Sequence, residues 1–128
     1  MSRSLKSIDA LAADRLQKQG ALLVDVREPG EVAQSRIAGS QNIPLSRLDA
    51  SELPLGPGQL VVFFCAGGNR TNVHAARLAA KAGDAAAYVM QGGIAGWRSA
   101  GLPIEAGKAG ASGDARPGQS LFSRLLGL

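Results

Sequence analysis

Apolar positions recur along this chain in two rhythms, and their alternation predicts its elements. Residues 8–19 place Ile8, Leu11, Ala12 and Leu16 at helical spacing, with Asp9, Asp14, Arg15 and Lys18 between them. That predicts an amphipathic helix, with Ser7 as its cap and Gly20 as its stop. Residues 21–26, ALLVDV, are a short apolar run and predict a buried strand. Pro29 opens a short helix over 30–35. Residues 36–44 then read as a turn, a short strand and a break, and 45–50 as one or two helical turns. After a loop marked by Pro54, Gly56, Pro57 and Gly58, the run QLVVFF at 59–64 gives the strongest buried-strand signal. An alanine-rich helix follows over 71–82, closed by Gly83. A strand is expected at 85–90 and a short helix around Trp97, with Gly101 and Pro103 ending the domain near Glu105.

Strands that alternate with helices predict βα units and a parallel sheet, hence an α/β fold. In such sheets the sites lie at the carboxyl ends of strands. Composition agrees. The 128 residues suffice for one domain, 45% are hydrophobic and only 4% aromatic, so Leu, Val, Ile and Ala must build the core. The net charge of +4 is spread along the chain without a run of Lys or Arg, which argues against nucleic-acid binding. A single cysteine cannot form an internal disulfide. With no apolar leader or membrane-length run in view, the expected location is cytoplasmic.

The chemistry concentrates at Cys65, which follows the predicted central strand and opens the loop CAGGNR. Gly67 and Gly68 let the backbone curl so that successive N–H groups converge on one centre. A helix starting at Asn69 or Thr71 adds its positive N-terminal end, and Arg70 adds a fixed charge. All three favour a thiolate, and a cysteine so placed is a nucleophile at neutral pH. The backbone N–H groups of Ala66, Gly67, Gly68, Asn69 and Arg70 are the expected cradle, with Thr71 beside them.

The loop resembles the Cys-x-x-Gly-x-Arg motif, followed by Ser or Thr, of the rhodanese-like sulfurtransferases, through Cys65, Gly68, Arg70 and Thr71. Three more segments are similar in order and spacing. They are VDVRE at 24–28 with Pro29 and Glu31, IAGS at 37–40 with Asn42, Ile43 and Pro44, and GGIAGW at 92–97. The resemblance spans about residues 5–104. It implies a three-layer fold with a five-stranded, mostly parallel sheet flanked by helices. It also implies a ping-pong reaction in which Cys65 takes a sulfane sulfur from a donor such as thiosulfate, holds it as a persulfide, and passes it to cyanide or a thiol. Arg70 then supplies charge and binds the donor. No metal or organic cofactor is implied. Two departures stand out: Ala66 where many members have a basic or larger polar residue, and Arg36 where many have His. Ala66 leaves less charge to hold thiosulfate, while Arg36 is expected at the surface.

Two other functions remain open for the same residues. A cysteine phosphatase or arsenate reductase would use Cys-x5-Arg, but only four residues separate Cys65 from Arg70, and the shorter loop suits a sulfur better than a phosphate. A non-catalytic docking or regulatory module is the other. Asp25 either hydrogen-bonds the active loop or has a buried structural role with Arg27, and Arg27 is expected to pair with Glu31. His74, Arg77 and Lys81 share a helix face that either rims the site or is solvated. Trp97 reads as core. Residues 105–120 read as a Gly/Ala/Ser linker and 121–128 as an apolar tail. The tail is expected to dock on its own domain, a dimer partner or another protein.

Overall fold

The computed structural model describes residues 5–106, so the expected tail at 121–128 and the linker beyond Ala106 lie outside the described residues. Strand β5 (Val61–Phe64) is buried at every position and occupies the middle of a five-stranded sheet. Its neighbours are β2 (Leu22–Asp25) and β6 (Ala87–Met90), with β1 (Lys6–Ile8) and β4 (Gln41–Asn42) at the edges, in the order β1-β6-β5-β2-β4. Every pairing in this sheet is parallel. A parallel sheet needs both faces covered, which is why QLVVFF is continuously apolar rather than alternating.

The two faces divide the core. Val61, Phe63 and Cys65 point with Val24, Val26 and Val89 towards Leu78 and Ala82 of helix α4 (Ala75–Ala82). Val62 and Phe64 point the other way, with Leu23 and Met90, towards α1 (Ala10–Lys18) and α5 (Gly93–Ser99), where Ala10, Ala13, Ile94 and Trp97 meet them. Period-two alternation thus sends successive β5 residues into separate cores. Each fully buried Phe or Leu contributes about 1.5–3 kcal/mol. Trp97 is core as expected, and its indole N–H donates to the Pro103 carbonyl at 2.8 Å.

Three features differ from the sequence expectations. The first helix begins at Ala10, because Ile8 belongs to β1, and Asp9 rather than Ser7 caps it by accepting from the Ala12 N–H at 2.8 Å. That edge strand has exposed Lys6 and Ser7, so no apolar rhythm announces it. The alanine-rich helix is two pieces, α3 (Asn69–Val73) and α4, broken at His74 (φ −106°, ψ 22°). Finally, Glu105 and Ala106, at the start of the expected linker, form β7 and pair antiparallel with β3 (Ser35–Arg36). Arg36 sits at the surface, as expected, and meets Glu105 at 3.0 Å. Helix α2 (Pro29–Gln34) matches the helix expected after Pro29. Among the described residues no helix is long and apolar enough to cross a membrane.

Candidate active site

Cys65 stands one residue past β5, at the carboxyl end of the central strand, and only 1% of its surface is exposed. The chain then turns sharply. Gly68 takes a left-handed conformation (φ +100°) that L side chains rarely adopt, and this turns its N–H onto the Cys65 sulfur at 3.1 Å. Helix α3 starts directly after it, so the N–H groups of its first turn have no helical partner. Burial pushes the Cys65 thiol up. The N–H groups of Thr71, Gly68 and Arg70 and the Thr71 hydroxyl outweigh it, and the net shift is downward, towards thiolate. The Thr71 hydroxyl lies 3.9 Å from the sulfur and donates to the Gly68 carbonyl at 3.0 Å, bracing the turn.

Of the cradle expected from the sequence, Gly68 and Arg70 therefore face the sulfur, and Thr71 joins them through both its N–H and its hydroxyl. Ala66 also ties the loop to α5 through its carbonyl. Its carbonyl accepts from the Ala95 N–H at 3.0 Å, and the Cys65 carbonyl accepts from the Ile94 N–H at 2.9 Å. The start of α5 thus clamps the back of the loop. Gly93 makes this approach possible. A Cβ there would overlap the Cys65 carbonyl oxygen and lie 2.7 Å from the Ala66 carbonyl carbon, and its φ is +59°. The Gly92–Gly93 pair signals a turn in the sequence, but its contact with residues about 27 positions earlier is a tertiary fact with no local signature.

Arg70 turns its guanidinium onto Glu31. Both terminal nitrogens of its guanidinium lie 2.8 Å from the Glu31 carboxylate, one on each oxygen. This fork holds the Glu31 carboxyl at about 2, well below the usual range, and raises Arg70 further. Glu31 also accepts from the Glu28 N–H at 3.1 Å, so α2 and the active loop are joined. The expected Arg27–Glu31 pair is therefore corrected. Arg27 pairs with Asp25 instead, through Nε at 3.0 and 3.1 Å and Nη2 at 2.7 Å, with both side chains buried. The reason is geometric: residues 25 and 27 share one side of an extended segment, whereas Glu31 lies on the first turn of α2 and faces the loop. Asp25 thus takes the structural role and Arg27 also donates to the Ser35 carbonyl at 2.7 Å. Asn42 bridges the carbonyls of Asp25 and Arg27 at 2.9 Å each.

The face carrying His74, Arg77 and Lys81 turns to the loop after β4. Arg77 donates to the Leu45 carbonyl at 3.0 Å and lies 3.5 Å from Asp49, Lys81 donates to the Ser51 carbonyl at 2.6 Å, and His74 meets Arg77. These side chains hold that loop down. A cavity of about 210 Å³ borders the active loop between Gly67, Gly68, Thr71 and Asn72 on one side and Ser7, Met90 and Gln91 on the other. Among the described residues no group of three or more His, Cys, Asp or Glu side chains is placed to hold a metal ion.

The geometry is a single cysteine sulfur in a nest of backbone N–H groups at the end of a parallel strand. The model of the rhodanese-like domain matches residues 9–100. The chain belongs to the rhodanese-like family. Its relatives include an uncharacterised protein of Synechocystis sp., 38% identical over 87 residues, covering 68% of this chain and 48% of that protein. The chain therefore matches about half the length of that relative. A thiosulfate sulfurtransferase of Pseudomonas fluorescens is 34% identical over 94 residues, covering 73% of this chain and 85% of that protein. Among solved structures, a rhodanese-related protein of Thermoplasma volcanium is similar at a TM-score of 0.63 and 34% identity, covering 78% of this chain and 97% of the other.

Proposed function

We propose that this rhodanese-like domain is a sulfurtransferase that carries a sulfane sulfur as a persulfide on Cys65. The observation that carries this reading is the Cys65 sulfur itself, buried yet surrounded by the N–H groups of Gly68, Arg70 and Thr71. A thiolate so held attacks the outer sulfur of a donor such as thiosulfate. A new S–S bond forms to Cys65, the donor's own S–S bond breaks, and sulfite leaves with the electron pair. The same N–H groups that favour the thiolate lie beside the persulfide anion, as in an oxyanion hole. An acceptor, cyanide or a thiol, then attacks the terminal sulfur and expels the Cys65 thiolate. No general base is required once the thiolate is formed.

Cys65 is the only cysteine in the chain, so the sulfur passes to an external acceptor rather than to an internal disulfide. Small-molecule exchange of this kind suits the cytoplasm, where acceptor thiols are kept reduced. The phosphatase reading is the weaker one, because the Arg70 fork is given to Glu31 rather than held towards an oxyanion over the sulfur. The docking-module reading leaves the thiolate-favouring nest without a purpose.

Intact-protein mass spectrometry under non-reducing conditions tests the proposal. Incubation with thiosulfate or inorganic polysulfide should add one sulfur atom, removable by cyanide or a thiol. Cys65→Ser should gain none while keeping its far-UV circular dichroism. Sulfur uptake by Cys65→Ser, or none by the native chain with either donor, would reject the reading.

A further inference from the structure

A groove of about 260 Å³ lies between the start of α1 and α5. Its walls are mostly small or apolar, with Leu11, Gly92, Gly96 and Ala100 along it and Asp9 as its charged residue. Leu11 is 49% exposed, and with Val73 it is one of two large apolar side chains so exposed among the described residues. Gly92 also lines the cavity beside the active loop, so the groove runs up to that loop. A concave apolar surface of this kind gains by removal from water. The chain itself carries a matching segment. After Ala106 come fourteen residues, 107–120, nine of them Gly, Ala or Ser, and then LFSRLLGL at 121–128. At helical spacing Leu121, Phe122, Leu125 and Leu126 fall on one side. Arg124 is the one charged side chain of that segment, opposite in sign to Asp9. The described chain also ends on the right side of the sheet, because Leu102 and Ile104 pack on the core that Ala10, Ile94 and Trp97 build beneath α1 and α5. A Gly- and Ser-rich stretch of that length spans about 20 Å between its ends, against a radius of gyration of about 13 Å for a 100-residue domain.

We propose that residues 121–128 dock in this groove of their own domain, with their apolar side chains over Leu11, Gly96 and Ala100 and Arg124 towards Asp9. The tether makes a weak contact sufficient. It holds the segment at an effective concentration of about 1 mM, so a contact with a dissociation constant of about 0.1 mM is about nine-tenths made. Burial of leucine and phenylalanine side chains supplies the attraction. The exposed Arg124–Asp9 pair sets register more than strength. Docked there, the segment adjoins Gly92, the wall shared with the cavity beside the active loop. Docking does not depend on the chemistry at Cys65.

Hydrogen–deuterium exchange of the full chain, read by mass spectrometry on peptides from 121–128, tests this. After correction for intrinsic rates, those amides should exchange about tenfold more slowly in the native chain than in Leu125→Asp, the protection expected of a segment about nine-tenths docked. Leu11→Asp tests the groove from the other side. Leu11 is half exposed in the first turn of α1, where a carboxylate is favoured, so the fold is kept. This variant should release the segment to the same extent, and the double variant should exchange no faster than either single one, as for two residues that act through one contact. Unprotected amides in the native chain, or protection that survives Leu11→Asp, would overturn the docking. Protection lost on dilution would overturn it too, because a second copy of the chain would then be the partner.

Discussion

At Cys65 two opposing effects meet on one atom. Burial favours the neutral thiol, and the N–H groups of Thr71, Gly68 and Arg70 favour the anion; the second set prevails and lowers the pKa. Reactivity towards an alkylating agent follows the thiolate fraction, so its half-maximal pH should fall below that of an unperturbed cysteine. The sign also fixes a stability contribution: present above the unfolded-state pKa, it is lost as pH falls through the depressed native one. Thr71→Val keeps the side-chain shape and the backbone N–H but removes the hydroxyl that braces Gly68 and faces the sulfur. The midpoint of the iodoacetamide rate–pH profile should then move upward, and the rate at pH 7 should fall about two- to fivefold, the worth of one modest hydrogen bond. An unmoved midpoint would mean that the backbone alone sets the pKa. The residue types of this site were legible in the sequence, because cysteine, paired glycines and arginine in that spacing have a direct chemical meaning. The partner of Arg70 was not. Choosing between Arg27 and Arg70 for Glu31 requires knowing which way the first turn of α2 faces, and that is decided by packing.

Between elements, the decisive contact is the one that joins α5 to the active loop. Two N–H groups at the start of α5 bond the carbonyls of Cys65 and Ala66, which orients the peptide planes whose neighbours face the sulfur. Gly93→Ala places a methyl group against the Cys65 and Ala66 carbonyls at a backbone conformation, φ +59°, that alanine resists. Neither neighbour is the end of a flexible side chain, so backbone must move. The variant should lose about 2–4 kcal/mol in urea denaturation, the range for overpacking combined with strain. At a temperature where it remains folded, its alkylation midpoint should also rise, because the loop N–H groups lose their alignment. A destabilised variant with an unchanged midpoint would separate stability from positioning. The element pattern itself followed the apolar runs closely where strands are buried on both faces, as at β5. It failed at β1, whose exposed Lys6 and Ser7 leave its pairing with β6 to define it, and at His74, where the alanine-rich run gives no local sign of a break.

Across the molecule, the sheet carries two cores that share its central strand. Val61 and Phe63 belong to the one beneath α4, Val62 and Phe64 to the one beneath α1 and α5. Neither can be lost alone without exposing the opposite face of the same strand, so the domain should unfold as one cooperative unit. Trp97 makes this testable, because it is the chain's only tryptophan and is fully buried in the α5 core. Leu78, also fully buried, lies across the sheet in the α4 core. Leu78→Ala should destabilise the protein by about 2–5 kcal/mol through lost burial and the cavity left behind. The Trp97 fluorescence transition in urea should shift by the same amount as the far-UV circular dichroism, although no atom near Trp97 has changed. A fluorescence midpoint that stayed near the native value while the dichroism midpoint fell would mean that the two cores open separately, with the active loop strung between them. Coincident shifts would mean that the nest around Cys65 is as stable as the whole fold, which is what a buried, preorganised sulfur site requires.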